Sequence, residues 1–331
     1  MKDLVTVARA LFASGKGILA ADESVATADK RLAAHGIAIG GEMRRAEREI
    51  FLNAEGIEQY LSGAILFSET FAQKGSDGKL FPASLAARGI APGIKVDQGT
   101  EPIAESPKEF ITNGLIGLSE RLLEFAKKGA LFAKWRAVVR IDGDQLPSSR
   151  ALLENAKRLA TYAREAQAAG LVPVIEPEVL LDGMHSLLRS KVVLEEVLAT
   201  VFVALEAQAV DRASVVLKTS MVLSGSETGK HDAPQEVARH TLEALVANVP
   251  KQIAGIAFLS GGQTPDQATE NLAAIVATAR AASTSWPVTF SYARALQEET
   301  LQIWRGEEAN VAAARAVFLN RLKRLSAAVS M

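Results

Sequence analysis

Eight short apolar runs rich in β-branched and small residues recur along the chain: GILAAD at 17 to 22, GAILFSET at 63 to 70, GIKVD at 93 to 97, FAKWRAVVRI at 132 to 141, LVPVIEPEVL at 171 to 180, SVVLKTSMVL at 214 to 223, AGIAFLSGG at 254 to 262 and PVTFSYAR at 287 to 294. Longer stretches with helical spacing lie between them. Ser148 to Ala169 places Leu152, Ala156, Leu159, Ala163 and Ala166 on one face and stops at Gly170, which predicts an amphipathic helix. Thr264-Pro265-Asp266-Gln267 predicts a helix start, with a threonine cap, proline at the first position and a glutamine to close the box. Asp232 with Gln235 is a weaker signal of the same kind.

Eight strands, each followed by helical sequence and with no long linker or repeat, predict an α/β fold of the (β/α)8 type. It would be one TIM barrel domain over residues 1–331, with a short N-terminal helix and a C-terminal helical segment. An open α/β sheet with one strand misassigned is the alternative. The N-terminal LVTVARALFA is interrupted by Arg9 and followed by no cleavage motif, so it reads as a short amphipathic helix and not as a signal peptide core.

In a parallel barrel, alternate strand residues face inward and functional groups sit at the C-terminal strand ends. On the sixth run this sets Ser214, Val216, Lys218 and Ser220 inward, and Val215, Leu217, Thr219 and Met221 toward the helices. The same parity turns Ile18, Ala20, Asp22, Lys95, Asp97, Lys134, Arg136, Glu176 and Glu178 inward, followed by Ser260, Ser291 and Arg294. Five cations (Lys95, Lys134, Arg136, Lys218, Arg294) then face four acids (Asp22, Asp97, Glu176, Glu178), which favours a substrate that brings negative charge. Burying so many ions for stability alone is unfavourable, because desolvation can exceed the Coulombic gain.

Composition narrows the chemistry. The chain has 331 residues, 48% of them hydrophobic, and 37 Lys+Arg against 38 Asp+Glu give a net charge of -1, so the overall balance favours neither nucleic acid nor an anionic membrane as partner. With no cysteine there is no thiolate nucleophile, thiolate zinc site or iron-sulfur cluster, and the absence fits a reducing compartment. Four histidines, His35, His185, His231 and His240, form no metal-binding spacing, so no metal and no cofactor are expected. No window reaches the roughly 18 to 20 apolar residues of a membrane span, and a cytoplasmic protein is expected.

Lys218 lies in an apolar strand with no acid beside it in sequence, and other cations are expected around it. That setting favours the neutral amine, a nucleophile able to form a Schiff base with a carbonyl while nearby carboxylates move protons. The glycine pair of LSGGQ and the arginine of SYAR fall after strands seven and eight, where barrels commonly hold phosphate.

In this order GILAADES, AILFSET, GIKVD, FAKWR, PVIEPEVL, VLK..M, FLSGGQ and TFSYAR resemble the class I fructose-1,6-bisphosphate aldolases over nearly the whole chain. The resemblance implies metal-free, reversible cleavage of fructose 1,6-bisphosphate to dihydroxyacetone phosphate and glyceraldehyde 3-phosphate. It implies Lys218 as the Schiff-base lysine and Asp22 as acceptor of the C4 hydroxyl proton. Glu176, with Glu178 beside it, would act in carbinolamine dehydration, and Lys134 and Arg136 would shape the charge of the site. It also implies Ser260, Gly261, Gly262, Ser291 and Arg294 around the C1 phosphate, Ser24, Thr27 and Lys95 around the C6 phosphate, and a homotetramer.

The chain departs from the family pattern at Thr219-Ser220, where Pro-Asn is usual, at Ala293 in place of glycine, and at Val25-Ala26-Thr27 in place of Thr-Gly-Ser. It finishes LKRLSAAVSM where animal members carry a tail with a terminal tyrosine, so proton exchange at C3 is expected to fall to Glu176 or a water. A Schiff-base aldolase for another phosphorylated ketose and a non-catalytic binding barrel are the rival readings.

Overall fold

A computed structural model describes residues 3–330. Its strands are β1 (Gly17–Ala21), β2 (Leu61–Leu66), β3 (Ala91–Lys95), β4 (Thr100–Ile103), β5 (Ser106–Thr112), β6 (Phe132–Val139), β7 (Val172–Val179), β8 (Val216–Thr219), β9 (Gly255–Phe258) and β10 (Val288–Tyr292). Its helices are α1 (Leu4–Ala10), α2 (Val25–Ala34), α3 (Gly41–Leu52), α4 (Ser68–Ala72), α5 (Phe81–Ala87), α6 (Leu118–Lys127), α7 (Ser149–Ala168), α8 (Leu187–Ala207), α9 (Pro234–Asn248), α10 (Pro265–Ala281), α11 (Arg294–Trp304) and α12 (Val311–Ser330).

All strands but β4 and β5 are parallel and close into a TIM barrel in the order β1-β10-β9-β8-β7-β6-β3-β2. The expected barrel and its eight strands are therefore present, with shifted bounds. SVVLKTSMVL keeps only Val216–Thr219 as strand, because Ser214 ends a 3-10 turn and Ser220 leaves the ladder. In GAILFSET the last three residues already begin α4.

Alternation divides the apolar residues into two cores. Leu19, Ala21, Trp135, Ile175, Val215, Leu217, Met221 and Phe290 pack against the helices, where the Trp135 ring stacks on Tyr162 at 5.6 Å. Ile18, Ala20, Phe132, Val172, Val174 and Val216 fill the barrel interior together with Ala8 and Leu11 from the N-terminal segment. That segment is the expected amphipathic helix, capped by Asp3, whose carboxylate accepts from the Val5 and Thr6 amides at 3.3 and 3.1 Å. Glycine makes the space for its neighbours' rings: a Cβ on Gly93 would lie 2.2 Å from the Phe132 ring, and one on Gly255 would lie 2.5 Å from Phe12. The N-terminal half of the barrel is thereby filled, and any open site is left to the other end.

The helix signals divide. Thr264 and Gln267 form the expected capping box on α10, and Ser148 caps α7. Asp232 does not cap α9, whose N-cap is Ala233; instead its carboxylate accepts from the Ser224 amide at 2.7 Å and hydroxyl at 2.8 Å. The β4–β5 hairpin after β3 was not foreseen, since Pro102, Pro107 and several charged residues hide any alternating pattern. Tertiary contacts hold it: Asn155 donates to Phe110 O at 2.8 Å, and Thr112 Oγ1 donates to Arg136 O at 2.8 Å. No helix among the described residues is long and apolar enough to cross a membrane.

Candidate active site

Parallel register gathers the charges at one level. Lys95 pairs with Lys134 across β3 and β6, Arg136 with Glu176 across β6 and β7, and Lys218 with Ala257 across β8 and β9. Asp22 follows β1 directly, Ser260 follows β9 and Arg294 opens α11. They line a cavity of about 1100 Å³ at the C-terminal end of the barrel, together with Ser24, Thr27, Asp97, Glu178, Gly261 and Ser291.

At its floor lies a chain of buried ions. Lys134 Nζ is 2.7 Å from Asp22 Oδ2 and 2.8 Å from Glu176 Oε2, and Glu176 Oε1 is 2.8 Å from Lys218 Nζ. Burial alone would raise the Asp22 carboxyl, but Lys134 and Lys218 outweigh it and hold its pKa at about 2. Burial also opposes the charge on Glu176, yet Lys134 and Lys218 pull its pKa below the ordinary carboxylate value. Lys134 is driven the other way: despite its burial, Asp22 and Glu176 hold its ammonium charged well above the usual lysine range. Asp22, Glu176 and Lys134 are therefore ionised near neutral pH.

Here one expectation is corrected. Lys218 was expected among cations, with carboxylates nearby but no tight ion pair; it is instead paired with Glu176, brought alongside because β7 and β8 are neighbours and both residues face inward. Ser220 is corrected too, because its hydroxyl is hydrogen-bonded to the Val179 amide at 2.9 Å and carbonyl at 3.0 Å, away from the cavity. Thr219 and Ser220, the two residues that depart from the family pattern, thus tie the end of β8 to the β7 strand.

The remaining expected residues fall at two sides. Arg136 pairs with Glu178, and Lys95 with Asp97. On the far side are Ser260, Gly261, Ser291 and Arg294, of which Arg294 has no carboxylate within ion-pair distance among the described residues. The expected cationic excess is thus this one guanidinium. Gly261 and Gly262 take φ of +58° and +94°, the left-handed region that glycine enters without strain. Gly262 lies behind the lining, where a Cβ would stand 3.4 Å from an Arg294 terminal nitrogen. The Ser291 hydroxyl is buried without a hydrogen-bond partner.

Near the mouth, Ser24 caps α2, accepting from the Thr27 amide at 3.4 Å with its hydroxyl 3.0 Å from that of Thr27. Lys30 and Arg31, on the same helix, also line the cavity and were missed. Their three- and four-residue spacing from Thr27 was the available signal, since those positions share a helix face. Arg31 pairs with Glu23 and donates to Gln297 at 2.6 Å, while its Nε and Nη2 have no partner. Among the described residues, no group of three or more His, Asp or Glu is placed to hold a metal ion.

A sequence model of the family described as class-I fructose-bisphosphate aldolase matches residues 3–330. A cytosolic fructose-bisphosphate aldolase of Arabidopsis thaliana is 44% identical over 326 residues, which cover 98% of this chain and 82% of that protein. An aldolase of Schistosoma mansoni is 46% identical over 98% of this chain and 89% of its own length. The solved fructose-bisphosphate aldolase of Plasmodium falciparum, in a complex with TRAP and a small-molecule inhibitor, superposes with a TM-score of 0.95 at 41% identity, covering 99% of this chain and 94% of that one. With a charged cavity on a closed barrel and matches that run end to end, the chain belongs to the class I fructose-bisphosphate aldolase family.

Proposed function

We propose that the ion chain Lys218–Glu176–Lys134–Asp22 is the catalytic machinery for reversible cleavage of fructose 1,6-bisphosphate. The observation that carries this reading is the 2.8 Å contact between Lys218 Nζ and Glu176 Oε1 at the floor of the cavity. A Schiff base needs the neutral amine, and a carboxylate in contact with the ammonium can take its proton while Lys134, held charged, stays protonated. The amine then adds to the C2 carbonyl, and Glu176 returns the proton to the carbinolamine oxygen, which leaves as water.

The iminium so formed is the electron sink. Asp22 accepts the C4 hydroxyl proton, the C3–C4 bond breaks with its electrons passing into the iminium, and glyceraldehyde 3-phosphate departs. Protonation of the enamine at C3, by Glu176 or a water, and hydrolysis then release dihydroxyacetone phosphate and restore Lys218. Glu178 holds Arg136 in place on the same wall.

Ser260, Gly261, Ser291 and Arg294 take the C1 phosphate, with Gly262 supporting the loop, and Ser24, Thr27, Lys95 and the missed Arg31 take the C6 phosphate. Unspent donors on Ser291 and Arg31 support this division. One domain over residues 1–331, a homotetramer and a cytosolic location, the last supported by the Arabidopsis relative's name, complete the reading.

Borohydride reduction in the presence of dihydroxyacetone phosphate, followed by peptide mass mapping, tests it. A stable adduct on Lys218 is expected, and its absence there overturns the assignment.

A further inference from the structure

Glu176 and Lys218 stand on adjacent strands whose ladder stops just short of them. The register of β7 with β8 runs through Val174–Val216 and Ile175–Leu217 and goes no further. Each strand is instead secured on its other side: β7 stays in register with β6 from Val172 to Val179, and β8 with β9 through Lys218–Ala257 and Thr219–Phe258. A seam therefore runs between the two strands at the level of the two touching groups.

Pro177 accounts for the break, because it has no amide hydrogen with which to continue a ladder. Side chains cross the seam in its place. The Ser220 hydroxyl accepts from the Val179 amide at 2.9 Å and donates to the Val179 carbonyl at 3.0 Å, while Thr219 Oγ1 donates to Pro177 O at the longer distance of 3.4 Å. Both residues are buried. One serine hydroxyl thus does for Val179 what a facing peptide group does in a ladder, two residues past Lys218 on β8 and three past Glu176 on β7. Ser220 does not line the cavity, so its effect reaches the reaction through the strand that carries Lys218.

We propose that Ser220 is a positioning residue for Schiff-base formation: by clipping the end of β8 to Val179 across the seam, it holds Lys218 Nζ in contact with Glu176, with Thr219 as a weaker second pin. The inference rests on the catalytic reading of the Lys218–Glu176 contact above. Without the clip, β7 follows β6 and β8 follows β9, and the proton acceptor and the amine lose their fixed separation.

The test measures kcat and KM for fructose 1,6-bisphosphate, and the rate of borohydride trapping with dihydroxyacetone phosphate, in Ser220→Ala, Ser220→Thr, Glu176→Gln and Glu176→Gln/Ser220→Ala proteins. Ser220→Ala is expected to lower kcat and the trapping rate about tenfold, as a misplaced proton acceptor does, with KM changed less than about twofold. Ser220→Thr keeps the hydroxyl and is expected to retain at least about half of the original rate. Once Glu176→Gln has removed the acceptor, Ser220→Ala is expected to slow trapping by less than about a further twofold. A Ser220→Ala kcat within about twofold of the original, or the full Ser220→Ala loss repeated in the Glu176→Gln background, overturns the proposal alone. Absence of an adduct on Lys218 in the unmodified protein overturns the catalytic reading and the proposal with it. Should circular dichroism show that Ser220→Ala fails to fold, Ser220→Cys, similar in size but a weaker donor, is expected to show the same fall in kcat at unchanged KM, and an unchanged kcat overturns the proposal.

Discussion

The two halves of the barrel interior are built from the same strands yet differ in kind. Toward the N-terminal end, Ile18, Phe132, Val172, Val174 and Val216 meet Leu11 in a dry apolar plug. Two residues further along the same faces, at Lys134, Glu176 and Lys218, the interior turns to ions less than 5% exposed. Burial of the plug is stabilising, by about 25 cal/mol for each Å² of apolar surface removed from water. The ions cost desolvation, so their place in the fold is explained by the chemistry proposed for them. One strand thus anchors the fold with its first residues and carries the site with its last.

The sharpest way to break this comparison is Lys218→Arg. The fold should persist while cleavage falls by at least about 10⁴-fold, because a guanidinium stays protonated and forms no iminium; steady-state assays beside circular dichroism check both halves. Lys134→Met should damage both properties, since it leaves Asp22 and Glu176 as buried carboxylates without their shared cation, a loss of about 3 to 5 kcal/mol in urea unfolding. Phe132→Ala should cost a similar 3 to 5 kcal/mol or so by opening a cavity in the plug, with kcat of the folded enzyme changed only a few-fold.

Replacing the whole ion chain by Asp22→Leu, Lys134→Met, Glu176→Leu and Lys218→Met together should give an inactive protein at least as stable as the original, by up to about 4 kcal/mol. A lower melting temperature would show instead that the charged half also holds the fold together.

The smallest effect is on acid stability. Asp22 is held at about 2, below its ordinary value of 3.8, so its contribution is complete above about pH 4 and is lost as pH falls through 2. Unfolding free energy should therefore decline faster between pH 4 and 2 than in an Asp22→Asn protein, and parallel curves would count against the buried pairing.

Much of the barrel was legible because alternation is local. That Ile18 and Leu19 face opposite ways follows from the pleat alone, and Lys218 shares the direction of Val216. Capping at Thr264 was legible for the same reason, being settled within four residues. The β4–β5 hairpin was not, because its pattern is polar and Asn155 on α7 holds it from outside. Nor was Gln297, which reaches from α11 to Arg31 and to Ala20 O.

By itself the sequence determined which faces the strands turn inward, which residue types crowd the C-terminal ends, and, through eight motifs in order, the family. Only the tertiary structure decided who pairs with whom: that Lys218 meets Glu176, that Lys134 bridges Asp22 and Glu176, and that Arg31 meets both Glu23 and Gln297. Side-chain direction is a property of a few consecutive residues, whereas a contact between ions depends on strand order, register and helix packing across the whole barrel.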